Sequence, residues 1–136
     1  MAAHIKRAYT TPGGTKPTNA NKRITGQTPS DPLHRLSSDA QRRKDNRARA
    51  VSNCRRYFGP GCSSNTTKDC DEFPFATTYE GCAQPEYDMH AKKNNFSVLP
   101  VSKKQNGDAG TLLGQFYREN RIIDGMDDGF LVTITS

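Results

Sequence analysis

Apolar residues are sparse along this chain, and where they recur they do so with two different periods. From Ser37 the text SSDAQRRKDNRARAVSNCRRYF opens on capping-type residues, contains no Gly or Pro, and spaces Ala48, Val51, Cys54 or Arg55, and Phe58 as a helix would. Gly59-Pro60 then stops it, so the pattern predicts a helix over about 38–58. A second helix is predicted over GDAGTLLGQFYREN (107–120), where Leu112, Leu113, Phe116 and Tyr117 form one stripe facing a core and Asn106 stands in front as a capping-type residue. Strand composition is found in three places. DCDEFPFATTYEGC interleaves Phe73, Phe75 and Tyr79 with polar residues; NFSVLPV (95–101) is broken by Pro100, which suits an edge; and RIIDGMDDGFLVTITS reads as strand, acidic turn, strand, with Phe130, Val132 and Ile134 alternating. The first stretch of the chain shows neither period and is rich in Thr, Pro, Gly, Asn and Lys. The expected organisation is a flexible basic arm over 1–36 and one domain over 37–136. Its class is small α+β, an antiparallel sheet with a basic N-terminal helix and a second packed helix.

Composition narrows this further. With 136 residues, 32% of them apolar, there is material for one small core and one site. No window holds the apolar run that crosses a bilayer, and no secretory signal is visible, so export is expected through a removed leader or as part of a larger precursor. The formal charge of +6 is unevenly distributed: residues 1–68 hold 14 Lys/Arg against 3 Asp/Glu, and residues 69–136 hold 6 against 11. Basic residues attract polyanions, and clustered carboxylates repel them unless a cation lies between. A metal-dependent enzyme acting on nucleic acid fits this asymmetry, as does a basic segment beside a solvated acidic surface. In the first helix Arg47, Arg49, Arg55 and Arg56 are candidate phosphate contacts.

Cys54, Cys62, Cys70 and Cys82 contain no C-x-x-C pair, which argues against structural zinc and for disulfides in an oxidising compartment. The pairing that closes the shortest loops is Cys54 with Cys62 and Cys70 with Cys82.

Chemistry concentrates in DCDEFP. Asp69, Asp71 and Glu72 crowd three carboxylates into four positions, which calls for raised pKa values or a bound cation wherever they are partly buried. In an extended stretch Asp69 and Asp71 share a face and Glu72 takes the other. Oxygen donors of this kind suit Mg²⁺ or Mn²⁺. Glu80 and Asn106 are further candidates. His4, His34 and His90 are scattered without a hydrolase motif, His90 alone being near enough in sequence to the acidic stretch to serve as a base.

Taken in order, DCDEFPFATTYEG, NGDAGTLLGQFY about 25 residues later and a short closing strand resemble the NucA/NucB-type deoxyribonucleases over roughly 40–136. The resemblance implies a ββα-metal-like nuclease core: a hairpin and a helix holding one divalent ion, Mg²⁺ or Mn²⁺, against the scissile phosphate of DNA, with RNA left open. It further implies Asp71 as general base, with Glu72 sharing that role or positioning the ion. Asn106 would be a metal ligand and Glu80 a supporting ligand or orienting group. Family members carry Arg between the two aspartates where this chain has Cys70. Either another arginine, with Arg55, Arg56 and Arg121 as candidates, supplies the phosphate-neutralising charge, or Cys70 is committed to a disulfide.

The expectation is a divalent-metal-dependent, sequence-nonspecific DNA endonuclease, exported or extracellular. It suits a toxin domain of a larger secreted protein, acting inside a target cell and paired with a cognate immunity protein; scavenging or DNA processing is equally compatible. The rival readings are a non-catalytic basic nucleic-acid-binding module, which would bind DNA in a salt-sensitive way and cut nothing, and a disulfide-stapled extracellular domain that does neither.

Overall fold

The computed structural model describes residues 1–63 and 67–135. Four helices and two small antiparallel pairs of strands make an α+β domain, in the order α1 (Ala2–Thr10), β1 (Leu33–His34), α2 (Ala40–Phe58), β2 (Lys68–Phe73), α3 (Gln84–Tyr87), β3 (Ser97–Ser102), α4 (Lys103–Glu119) and β4 (Gly129–Phe130). β1 pairs with β4, and β2 pairs with β3 with Asp71 opposite Leu99.

α2 follows its local signals. The Asp39 side chain accepts from Arg42 N at its start, and Gly59, at φ +87°, takes the left-handed conformation that ends it. Its buried face is Asn46, Ala50 and Cys54, one position off the column Ala48–Val51–Phe58, and Phe58 is exposed. Cys54 therefore faces β2 and bonds to Cys70, with Cα atoms 6.3 Å apart. Cys62 and Cys82 are free thiols, buried in the same cluster with Phe96 and Val98. The expected pairs Cys54–Cys62 and Cys70–Cys82 are thus not formed, because helix-to-strand packing rather than loop length decides which sulfurs meet.

β2 and β3 form the hairpin on which the site is built. Pro100 lies opposite Cys70. The Cys70 N–H goes instead to Asp69 Oδ1 and its carbonyl accepts from Arg47, so the N–H that proline lacks is not required there. α4 begins four residues earlier than its periodicity suggests, capped by Ser102 Oγ accepting from Gln105 N at 3.1 Å. Asn106 is consequently inside the first turn rather than in front of it. Of the expected stripe, Tyr117 is buried, Leu113 and Phe116 pack partly, and Leu112 is 63% exposed. Among its described residues the tail contributes only Gly129–Phe130 as strand. Val132 N then donates to Gly26 O.

The largest departure is the first 36 residues, which are packed rather than a loose arm. Ile5 and Ala8 of α1, with Ile24 and Leu33, join Phe73, Phe75, Tyr117, Ile122 and Phe130 in one core. Val98 N donates to Lys16 O, laying the segment along β3. Lys22 is buried, its ammonium donating to Thr15 Oγ1 (2.9 Å) and Pro17 O (2.6 Å), and burial brings its pKa down to about 8.

A carboxylate-lined candidate active site

β2 carries its acidic residues into a cleft of about 250 Å³ between α2, α4 and the turn after Phe73. Asp69, Asp71, Glu72, Arg47 and Asn106 line it, with Phe75, Ala109 and Leu113 as its apolar floor. Strand alternation sends the carboxylates to different partners. Asp69 Oδ2 accepts from Asn106 Nδ2 at 2.7 Å, tying β2 to α4. Asp71 Oδ2 lies 2.7 Å from His4 Nδ1 on α1. Glu72, on the opposite face beside Cys70, accepts from Arg47 Nη1 at 3.3 Å and from the Cys82 thiol at 3.5 Å. Arg47 also pairs with Asp69, so one guanidinium bridges both faces of the strand at its end.

Burial dominates the electrostatics. Glu72 is 7% exposed, and desolvation, only partly offset by Arg47, lifts its pKa to about 7. The neighbouring Cys82 thiol is pushed well up by burial and by the Glu72 charge, which keeps it protonated. Three carboxylates face one guanidinium, so a phosphodiester enters this cleft favourably only with added positive charge. Among the described residues no group of three or more His, Cys, Asp and Glu side chains converges in metal-holding geometry. The oxygen donors present fit an ion held by one or two protein ligands that fills its shell with water and substrate oxygens, the habit of magnesium. Asp69, Asp71, Glu72 and the Asn106 amide are the oxygen donors that line the cleft.

The structure thus brings Asp69, Asp71, Glu72, Asn106 and Arg47 together at one cleft and leaves Glu80, Arg49, Arg55, Arg56 and Arg121 elsewhere. Glu80 does not line the cleft; it is buried against β1, accepting from His34 N (2.7 Å) and bonding His34 Nδ1 (2.8 Å). The adjacent Gly81 is required because a Cβ there would overlap the Asn46 amide, which is bonded to Ala76 O and Ala83 N. Arg49 pairs with Glu86 at 3.6 Å, Arg56 lies over the Tyr57 ring, and Arg55 and Arg121 are exposed. None of these four arginines lines the cleft. Cys70 is held in its disulfide, and the cleft's arginine is Arg47, which charge counting placed among surface phosphate contacts. His90 is exposed and outside the cleft. Sequence reasoning passed over His4, since no local pattern links it to a strand 67 residues away.

A hairpin of acidic residues, a helix set against it and one inward arginine make a nuclease-type site. The chain belongs to the deoxyribonuclease NucA/NucB family, whose family model matches residues 15–133. No curated protein and no solved structure matches it significantly. The family makes DNA its substrate and phosphodiester hydrolysis its reaction class.

Proposed function

We propose that this cleft cuts DNA internally and without sequence preference, with a divalent ion, Mg²⁺ or Mn²⁺, held by Asp69 and Asn106. The observation that carries the reading is the convergence of Asp69, Asp71, Glu72, Arg47 and Asn106 on one cleft in a NucA/NucB chain. Asp71 accepts the proton of a water whose oxygen forms the new bond to phosphorus while the bond to the leaving sugar oxygen breaks. Glu72, with a pKa near 7, exchanges protons readily at neutral pH and donates to or accepts from the same water network. Arg47 offsets the charge that builds on the pentacovalent phosphate, the task that Cys70 cannot perform from its disulfide. When bound, the ion supplies further charge stabilisation at that phosphate.

The Cys54–Cys70 bond supports function in an oxidising, extracellular setting. Among the described residues no helix is long and apolar enough to cross a membrane. Service as the toxin domain of a larger exported protein, with an immunity protein as partner, rests on the same setting.

The test is plasmid degradation by the purified chain with Mg²⁺. Cleavage is expected to stop with EDTA and to fall by at least about a hundredfold in Asp71→Ala. Normal cutting by a folded Asp71→Ala protein overturns Asp71 as the base, and binding without cutting in any metal overturns the enzyme reading.

A further inference from the structure

We infer that His4, on the first helix and outside the residues matched by the family model, is a positioning residue that aims the Asp71 carboxylate into the cleft. The inference deepens the proposed function and rests on Asp71 being the base. His4 is 4% exposed and both of its ring nitrogens are engaged, Nδ1 with Asp71 Oδ2 and Nε2 with Ser97 Oγ, each at 2.7 Å. With Asp71 as the base its carboxylate is the acceptor, so Nδ1 is the donor, and the serine hydroxyl can meet Nε2 in either sense. Ser97 is itself buried at the start of β3. The imidazole therefore fills the space between the two strands' side chains and fixes one carboxylate oxygen of Asp71. No other hydrogen bond to the Asp71 side chain is found among the described residues, which leaves its second oxygen for the cleft.

α1 is held for this purpose by more than the imidazole. Ile5 and Ala8 are buried in the main core, and the Tyr9 ring stands edge-on to Phe73, two residues beyond Asp71 on the same face of β2, at 5.3 Å. A base oriented by a third group is the common way to keep its lone pair on the reacting proton, and loss of such orientation costs 10- to roughly 100-fold in turnover without weakening substrate binding.

Two near-isosteric variants separate aiming from mere packing. Asn places its amide nitrogen near the position of Nδ1, and Gln places its amide near that of Nε2. His4→Asn keeps the donor to Asp71 and loses Ser97; His4→Gln keeps Ser97 and loses the donor. The expected result with full-length chain and Mg²⁺ is that His4→Asn retains kcat within about threefold, while His4→Gln loses roughly 10- to 100-fold in kcat with KM within about twofold. Tm is measured for both, and Ser97→Ala is added as a variant that leaves the Nδ1 contact intact and should keep its kcat. Equal kcat losses in the two His4 variants, or losses that follow Tm, would show a packing role and overturn the inference, as would an unimpaired His4→Gln. An active, folded Asp71→Ala protein overturns the base assignment itself, whereas an inactive Asp71→Ala protein with an unimpaired His4→Gln overturns only the positioning role of His4. Should His4→Gln not fold, comparison of His4→Asn with Ser97→Ala decides: a tenfold kcat loss in either at unchanged Tm contradicts the Nδ1 contact as the one that matters.

Discussion

Replacing Glu72 by Gln should stabilise the protein, and only at high pH. Glu72 is buried, and its pKa stands at about 7 against an ordinary 4.5 because desolvation outweighs the pull of Arg47. Between those two values the folded chain keeps a proton that the unfolded chain has released, so this group's contribution to stability is full below pH 4.5 and drains away as the pH rises through 7. At 1.36 kcal/mol for each tenfold change in proton affinity, the cost above pH 7 is about 3 kcal/mol. Glutamine carries no charge at any pH, still offers an oxygen to Arg47 Nη1, and turns an amide toward the Cys82 sulfur, so it imitates the protonated acid. The two proteins should match at pH 4, whereas at pH 8.5 E72Q should be the more stable by about 3 kcal/mol, roughly 10 °C in Tm. Urea or thermal unfolding of both in EDTA at the two pH values measures the difference, in which every other titrating group cancels. A difference that is the same at both pH values, or of opposite sign, refutes the assignment of burial as the dominant influence on Glu72.

In an Arg47→Met background the same comparison should place the transition above pH 7, because the guanidinium is what holds Glu72 down; an unmoved transition would mean that the pair is not coupled. Removing the Cys54–Cys70 bond by a double Ser substitution should cost about 3 kcal/mol, the value for closing a loop of this length. Thiol titration of the denatured, unreduced chain should find two thiols, Cys62 and Cys82. Asp124→Ala should lower Tm at pH 7: burial raises the Asp124 pKa, but donation from Ser37, Ser38 and Tyr79 outweighs this and holds it at about 2. That contribution is present above the ordinary 3.8 and is lost as pH falls through 2, so the two melting curves should converge in strong acid.

Features written locally were legible in the sequence. The α2 boundaries follow from Asp39 and Gly59-Pro60, and the acidic density of DCDEFP picks out the strand that lines the cleft. What could not be read depended on residues meeting across the chain. Leu112 and Leu113 occupy adjacent columns of α4, and only the shape of the rest of the core decides that Leu113 packs and Leu112 faces water. The first 36 residues show little period because α1 buries only His4, Ile5 and Ala8, and beyond it Ile24, Leu33 and Leu36 pack as single residues. Glu80 looked like a ligand by its place after the aromatic stretch, yet its oxygens are occupied by His34, whose position depends on the pairing of β1 with β4. His4 appeared as a stray histidine for the same reason, and Arg47 was singled out only as one of several phosphate contacts on α2, its pairing with Asp69 and Glu72 being unreadable from the sequence.

The carboxylates of β2 are answered from three helices: Asp71 from α1, Glu72 and Asp69 from Arg47 of α2, and Asp69 again from α4. During synthesis the strand leaves the ribosome well before Asn106 and the rest of α4, so the cleft has no second wall until the domain is almost wholly made. A clipped or half-emerged chain would hold the acidic strand without the geometry around it.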